Sequence, residues 1–250
     1  MRDVKPWLRV GYVSPHPLVD TLPYEFYLMA PLGVMMAAAC LEIGDYTAEA
    51  IEEQLPFLDS RIEMLIKRGV GHVIISGVPI ALALGRERTR DLLAEISGRF
   101  KLPCDTDAEA IIAGAKRLGV GKVGLATRWN AAMNESLAAY LGAAGIEVSQ
   151  RASSARTMAE NAALDDETGI RLAIELGSQA FGGPGAPDAI IMPGGRWITV
   201  GVVRELEERF GRPVITNYSA GLWAALRAAG YERPISGWGR LLSTLGDTAR

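Results

Sequence analysis

The chain has 250 residues, 49% of them hydrophobic and 22% charged, with a net charge of −3. This length supports one large domain or two small ones with well-buried cores, and the ordinary composition with interspersed charge signs argues against a nucleic-acid-binding surface or an anionic-membrane partner. The two cysteines, Cys40 and Cys104, lie far apart with no metal-type spacing, which argues against a disulfide scaffold and fits a reducing cytoplasm.

Residues 1–10 mix charged and apolar positions and do not read as a signal peptide. No apolar run approaches the roughly 20 residues needed to cross a bilayer. Residues 8–13 read as a short buried strand, and the loop Ser14-Pro15-His16-Pro17 follows. Leu22, Tyr24, Phe26 and Tyr27, around Pro23, suit an interface or a lid. Cys40 falls in an apolar, helix-like run. A helical period covers 48–67, a strand 72–76, a loop Gly77 to Pro79 and a helix 87–100; Pro103 opens the next strand and a helix covers 108–118. The second part continues with a strand at 122–126, a loop from Thr127 to Asn130 and helices at 131–144 and 167–180. A Gly- and Pro-rich loop at 182–187, a strand at 189–192 and a loop from Pro193 to Trp197 come next. A helix at 200–210, a strand at 213–216, a loop from Asn217 to Ser219 and a helix at 220–229 complete the pattern. Alternating strands and helices predict an α/β protein whose parallel sheet is covered on both faces, with ligands at the carboxyl ends of the strands.

The chain also contains an internal repeat. HVIISG, a helix ending LLAEISGRFKLP and then CDTDAEAIIAGAKRLG correspond to AIIMPG, VVRELEERFGRP and VITNYSAGLWAALRAAG. Gly77 and Gly194, Phe100 and Phe210, and Pro103 and Pro213 fall at matching places. The repeat predicts two pseudo-symmetric, Rossmann-like or flavodoxin-like parallel-sheet halves about a pseudo-twofold axis, with Gly77 and Gly194 facing each other across the cleft. Residues 1–115 plus 217–250 are expected to form one half and 116–216 the other.

Two stretches carry a family resemblance. Residues 102–141, LPCDTDAEAIIAGAKRLGVGKVGLATRWNAAMNESLAAYL, are similar to a decarboxylase pattern of Pro, a Thr-bearing strand, a helix, V-x-L-A-T and N-E-x-L. Residues 212–227, RPVITNYSAGLWAALR, are similar to P-V-V-S-S-x-x-A-x-x-W-x-x-x-R. The chain thus resembles the aspartate/glutamate racemase superfamily and, within it, the maleate isomerase and arylmalonate decarboxylase group. The resemblance implies decarboxylation or isomerisation of a small carboxylic acid through an enolate-like species, without a cofactor, in a homo-oligomer. Members of that superfamily place a cysteine after the first-half strand, the second-half strand or both; the matching positions here are Gly77 and Gly194. Cys40 and Cys104 read as packing residues instead.

Other residues must then supply the chemistry. Glycines at strand ends let a backbone approach a ligand, so Gly194, Gly195 and Arg196 are candidates to direct amides at a carboxylate from the start of the following helix. Arg196 is either a bidentate clamp or an exposed helix-start residue. Gly77 and Val78 form a pocket wall poor in hydrogen bonds, since Val78 has no hydroxyl and Pro79 no N–H. His16 is a candidate acid or base, and His72 reads as structural. Trp129 matches a substrate-contacting tyrosine of the family, and its indole can stack and donate. Tyr218, beside Asn217, is either a proton donor or a packed ring. Asp105 and Asp107 are either a pair of carboxylate bases or helix-start caps, and read first as caps because two negative charges would repel an acid substrate. No Gly-x-Gly-x-x-Gly, P-loop or metal-type cluster is present. Two alternatives stay open: hydrolysis or elimination with His16 and an aspartate activating water, and a small-acid binding protein that has lost catalysis.

Overall fold

Short Val- and Ile-rich runs satisfy their backbone groups only by pairing, and here they pair in parallel, buried on both faces. The computed structural model describes residues 5–17, 20–44, 46–183 and 185–247. The first four residues of the amino-terminal segment, Pro184 of the 182–187 loop and the last three residues of the chain lie outside the described residues.

The first half runs β1 (Leu8–Ser14), α1 (Thr21–Met29), β2 (Val34–Cys40), α2 (Ala48–Gln54), α3 (Leu58–Lys67), β3 (His72–Ile75), α4 (Val78–Leu84), α5 (Arg86–Phe100), β4 (Cys104–Thr106) and α6 (Asp107–Arg117). The second runs β5 (Lys122–Thr127), α7 (Ala131–Gly142), β6 (Glu147–Ser153), α8 (Met158–Ala162), α9 (Asp166–Phe181), β7 (Ala189–Met192), α10 (Val200–Phe210), β8 (Val214–Thr216) and α11 (Asn217–Ala228), closed by α12 (Arg240–Ser243). The sheet orders are β2-β1-β3-β4 and β6-β5-β7-β8. The same strand takes the same place in each half, as the repeat predicts.

A central apolar cluster spans both sheets, joining Val10, Tyr12 and Ile74 to Leu125, Ile191 and Ile215 through α6 and α11. Each half keeps a smaller core on its outer face. α6 and α11 pack on each other, and α11 also reaches β3 and β4 of the first sheet. The two helices begin alike: Thr106 accepts from Glu109 N at 3.2 Å and Thr216 from Ser219 N at 3.0 Å. This N-cap geometry places Asp107 and Asn217 at equivalent first-turn positions. A polar tie adds to the joint, with Arg86 on α5 and Tyr140 on α7 both donating to Glu109 on α6.

The structure corrects four local expectations. Cys40 ends a strand, not a helix: β2 pairs with β1 from Val34 to Cys40, and sheet pairing overrides the helical propensity of Met-Met-Ala-Ala-Ala. The helix expected over 48–67 breaks into α2, a 3-10 turn at Leu55–Phe57 and α3, because Pro56 removes a backbone donor. Val78 and Pro79 open α4, so the expected 77–79 loop is a single glycine, Gly77, and Pro79 sits where helices accept proline. The expected 217–219 loop is the first turn of α11, which starts at Asn217 behind its cap Thr216. In addition, β6 was not legible in the apolar runs, since it is a polar edge strand with only Ala152 buried.

Around Pro23, Leu22 and Phe26 are core residues and Tyr24 and Tyr27 are exposed. Glu25 on the same helix is fully buried. Its Oε1 accepts from Thr199 N and Val200 N, both at 2.5 Å, and so caps α10. Burial pushes this carboxyl up to about 7 against the pull of those amides. A carboxyl raised in the folded state binds more protons than in the unfolded chain, so its contribution to stability falls as pH rises from about 4.5 to about 7. Glu25→Gln keeps an acceptor for α10 and removes this titration. Urea unfolding between pH 4 and pH 8 is expected to show a pH dependence flatter than that of the parent by on the order of 3 kcal/mol.

Candidate active site

Parallel sheets collect ligands at their carboxyl edges, and both sheets direct those edges at one cavity of about 270 Å³. His16, Gly77, Val78, Trp129, Gly194, Gly195, Arg196, Asn217 and Tyr218 all border it. The structure also brings in Thr21, Tyr46, Arg128 and Arg156, which the sequence did not single out, and Asp107, which read first as a helix-start cap. Cys40 and Cys104 do not line it.

The turns after β3 and β7 demand glycine. Gly77 has φ +103 and Gly194 has φ +121, in a region that side chains rarely enter. A Cβ on Gly77 would meet Pro15 Cγ at 3.1 Å, and one on Gly195 would meet the Tyr218 hydroxyl at 3.2 Å. The Trp129 ring covers Gly194, 3.8 Å from the place a Cβ would take.

The expected row of amides after β7 is partly engaged within the protein. Arg196 N donates to Thr21 Oγ1 at 3.1 Å. The start of α10 is taken by Glu25, so that helix end offers no free cradle. The loop is held from below by Arg128, whose Nη2 donates to the carbonyls of Gly195 and Arg196, each at 3.0 Å, while its guanidinium lies 5.0 Å from the Trp197 ring centre. Burial brings Arg128 down to about 10, which leaves it charged at neutral pH. Arg196 is exposed, has the left-handed φ of 58° and, like Arg128 and Arg156, makes no ion pair among the described residues. Three guanidiniums without carboxylate partners therefore converge on the second-half side of the cavity.

The first-half side differs. Val78 and Pro79 present an apolar wall, and the donors at the end of β3 are turned inward. Asp107 Oδ2 accepts from Gly77 N at 2.7 Å, from Ser76 Oγ at 3.0 Å and from Asn217 Nδ2 at 3.4 Å. Asp107 is thus not the cap of α6, a role Thr106 fills. Asp105 instead lies 3.1 Å from His72 Nε2, and His72 is buried away from the cavity. The clue to Asp107 lay in the repeat, which aligns Thr106-Asp107 with Thr216-Asn217.

His16 Nε2 lies 3.0 Å from the Tyr46 hydroxyl. Burial, and then the Arg196 charge, lower its pKa below the ordinary histidine value, so the ring is neutral at pH 7. Burial raises Tyr218 well above the usual phenol range, and its hydroxyl, 3.5 Å from Thr21 Oγ1, stays protonated as a donor. Asn134 binds Thr127 Oγ1, Trp129 O and Asn130 O and shapes the loop beneath Trp129 without lining the cavity.

Fold and cleft together define an α/β enzyme with its site between two pseudo-symmetric lobes. The family model describing arylmalonate decarboxylase matches residues 10–242. Arylmalonate decarboxylase of Bordetella bronchiseptica is 28% identical over 233 residues, a match covering 93% of this chain and 95% of that one. A doubly substituted arylmalonate decarboxylase in its liganded form superposes with a TM-score of 0.80 at 26% identity, over 94% of this chain and 98% of the other. The maleate cis-trans isomerase of Nocardia farcinica with a covalently bound succinylcysteine intermediate shares the fold, with a TM-score of 0.81 at 17% identity over 95% and 98% of the two chains. The chain belongs to the arylmalonate decarboxylase family. Among the described residues no helix is long and apolar enough to cross a membrane.

Gly194→Ala should cost roughly 1–3 kcal/mol of stability, because φ +121 is strained for any side chain. Chemical denaturation would read this loss. An unchanged midpoint would mean that the turn relaxes freely.

Proposed function

We propose that this enzyme decarboxylates or isomerises a small carboxylic acid through an enolate-like species, with neither a cysteine nor a cofactor. The observation that carries this reading is the division of the cleft into a wall of guanidiniums without ion-pair partners among the described residues and an apolar wall. A substrate carboxylate suits Arg196, supported by Arg156, with Gly194 and Gly195 allowing close approach. A second carboxylate on the same carbon then lies against Val78 and Pro79, where poor solvation favours its departure as neutral carbon dioxide. The bond between the two carbons breaks, the electron pair passes into the retained acyl group as an enolate, and a proton is added at carbon.

Tyr218, held protonated, is placed to donate a hydrogen bond to developing oxyanion charge, a contribution worth on the order of 3 kcal/mol for a well-placed donor. His16, neutral and coupled to the Tyr46 hydroxyl, is suited to exchange a proton with the substrate or with solvent at the cleft mouth. Trp129 is placed to cover a flat substituent. Cys40 and Cys104 lie away from the cavity, and burial keeps the Cys104 thiol protonated.

Proton NMR in D2O with substituted malonates, maleate and other small acids tests the reaction. Loss of one carboxylate with deuterium at the adjacent carbon is the expected result, and unchanged spectra throughout would count against the reading. Arg196→Met should raise KM about tenfold or more with a smaller change in kcat. The double variant Cys40→Ser, Cys104→Ser should keep kcat within about twofold, since neither side chain borders the cavity. Abolished turnover in a folded double variant would restore a thiol mechanism.

A further inference from the structure

One retained carboxylate engages Arg196, yet three arginines border the cleft without an ion-pair partner among the described residues. They are not scattered. Arg156 follows β6, Arg128 follows β5 and Arg196 follows the turn after β7, and β6-β5-β7 is the spatial order of those strands. The arginines therefore stand in a row, with Arg196 nearest the glycine turn and Arg156 at the outer edge. Neighbouring parallel strands lie about 4.8 Å apart, so the row is roughly 10 Å wide at the backbone, broader than one carboxylate.

The row is built as a unit. Arg156 N donates to Arg128 O at 3.1 Å, and Arg128 Nη2 holds the carbonyls of Gly195 and Arg196, so the middle arginine ties both neighbours. Among the described residues, the non-glycine positions with positive φ are Lys101, Ala155 and Arg196. Lys101 ends α5. The other two are Arg196 itself and the residue before Arg156. A left-handed backbone at such positions persists only where its surroundings enforce it, and here it accompanies the presentation of two of the three guanidiniums.

Arg128 is only 6% exposed, and its side-chain hydrogen bonds run from Nη2. Its Nε and Nη1 are not among the buried polar atoms without a partner, so they keep contact with solvent. A nearly buried cation without a counterion is costly. Burial first, and then the charges of Arg156 and Arg196 against the pull of Tyr218, depress its pKa. The carboxylates at the cavity leave the row uncompensated. Asp107 Oδ2 is occupied by its three donors, and Asp20 accepts from Thr21 N at 2.6 Å.

We propose that the substrate carries a further oxyanionic group on the substituent at its reacting carbon, and that Arg128 and Arg156 hold this group while Arg196 holds the retained carboxylate. The assignment deepens, and rests on, the decarboxylation or isomerisation reading. It narrows the substrate from a small carboxylic acid to a polyanionic one, which for a malonate means at least three acidic groups. A guanidinium pair recognises a carboxylate or phosphate through charge-assisted, bidentate hydrogen bonds. No bond changes at the distal group, which orients the substrate.

Two measurements on the full chain test the proposal. The first compares kcat/KM for phenylmalonate with that for its 3- and 4-carboxyphenyl and phosphonophenyl counterparts, which differ from it in the added oxyanion. At least one anionic counterpart should exceed phenylmalonate about tenfold or more, and the better of the carboxyl and phosphono series identifies the oxyanion. In Arg156→Gln, an exposed position whose side chain braces nothing, that ratio should fall about tenfold. The second is calorimetric binding of tricarballylate and of glutarate, which lacks its central carboxylate and, like it, has no geminal pair to lose. Tricarballylate should bind about tenfold more tightly, and Arg156→Gln should abolish the difference. If phenylmalonate is turned over as well as every anionic counterpart, or the ratio is unchanged in folded Arg156→Gln, the assignment falls and the reading of function stands. If no acid is turned over but tricarballylate keeps its Arg156-dependent advantage, the reaction is wrong and the polyanion site stands. If turnover and the binding advantage are both absent, both are overturned.

Discussion

One buried carboxylate oxygen ties the two halves together beside the cleft. Asp107 Oδ2 gathers a backbone amide and a hydroxyl from the end of β3 and a carboxamide from the start of α11. Unpaired, each of these buried polar groups would cost on the order of 1–3 kcal/mol. Paired, they fix the β3 turn against the helix that closes the second sheet. The apolar packing of α6 on α11 brings the halves together but is non-directional. The hydrogen bonds of Asp107 add a directional part, alongside those of Glu109 to Tyr140 and of Glu25 to the start of α10, and those of Asp107 lie beside the cavity.

Much of this was legible in the sequence because it depends on local pattern. Val- and Ile-rich runs bounded by Gly or Pro gave the inner strands. The matching of Gly77 with Gly194 and of Pro103 with Pro213 gave the duplicated halves, now visible as identical strand orders. The elements that escaped are those whose conformation is set by a neighbour. β2 is alanine- and methionine-rich and becomes a strand only because β1 lies beside it. β6 is polar because it is an edge.

Positions at the cleft were more legible than the states of the groups there. The strand ends follow from topology, and each is followed by residues that border the cavity. What they bond to is tertiary information. The Arg196 amide is engaged by Thr21, which lies 175 positions earlier in the chain. The start of α10 is taken by Glu25, whose charge would ordinarily place it on the surface. Asp107 read as a cap because an acidic residue beside Thr106 is common at helix starts. Only the fold shows that its carboxylate turns away from its own helix toward Gly77.

A duplicated scaffold would ordinarily present the same surface from both sides of its axis, and a symmetric cleft cannot orient an asymmetric substrate. Here sequence divergence at equivalent positions breaks the symmetry. At the first helix start Asp107 turns the β3 donors inward, and Val78 and Pro79 leave that wall apolar. At the second, Asn217 is neutral, and the loop after β7 carries Arg196 above the buried cation of Arg128. The carbonyls of Gly195 and Arg196 are tied to Arg128, so this loop is braced in spite of its two glycines and of a left-handed arginine that costs conformational energy. The brace holds a charged, exposed side chain at the mouth of a cavity whose opposite wall is apolar. An anion that bears an apolar group then has one favourable orientation in the cleft, set by differences between two copies of a single motif.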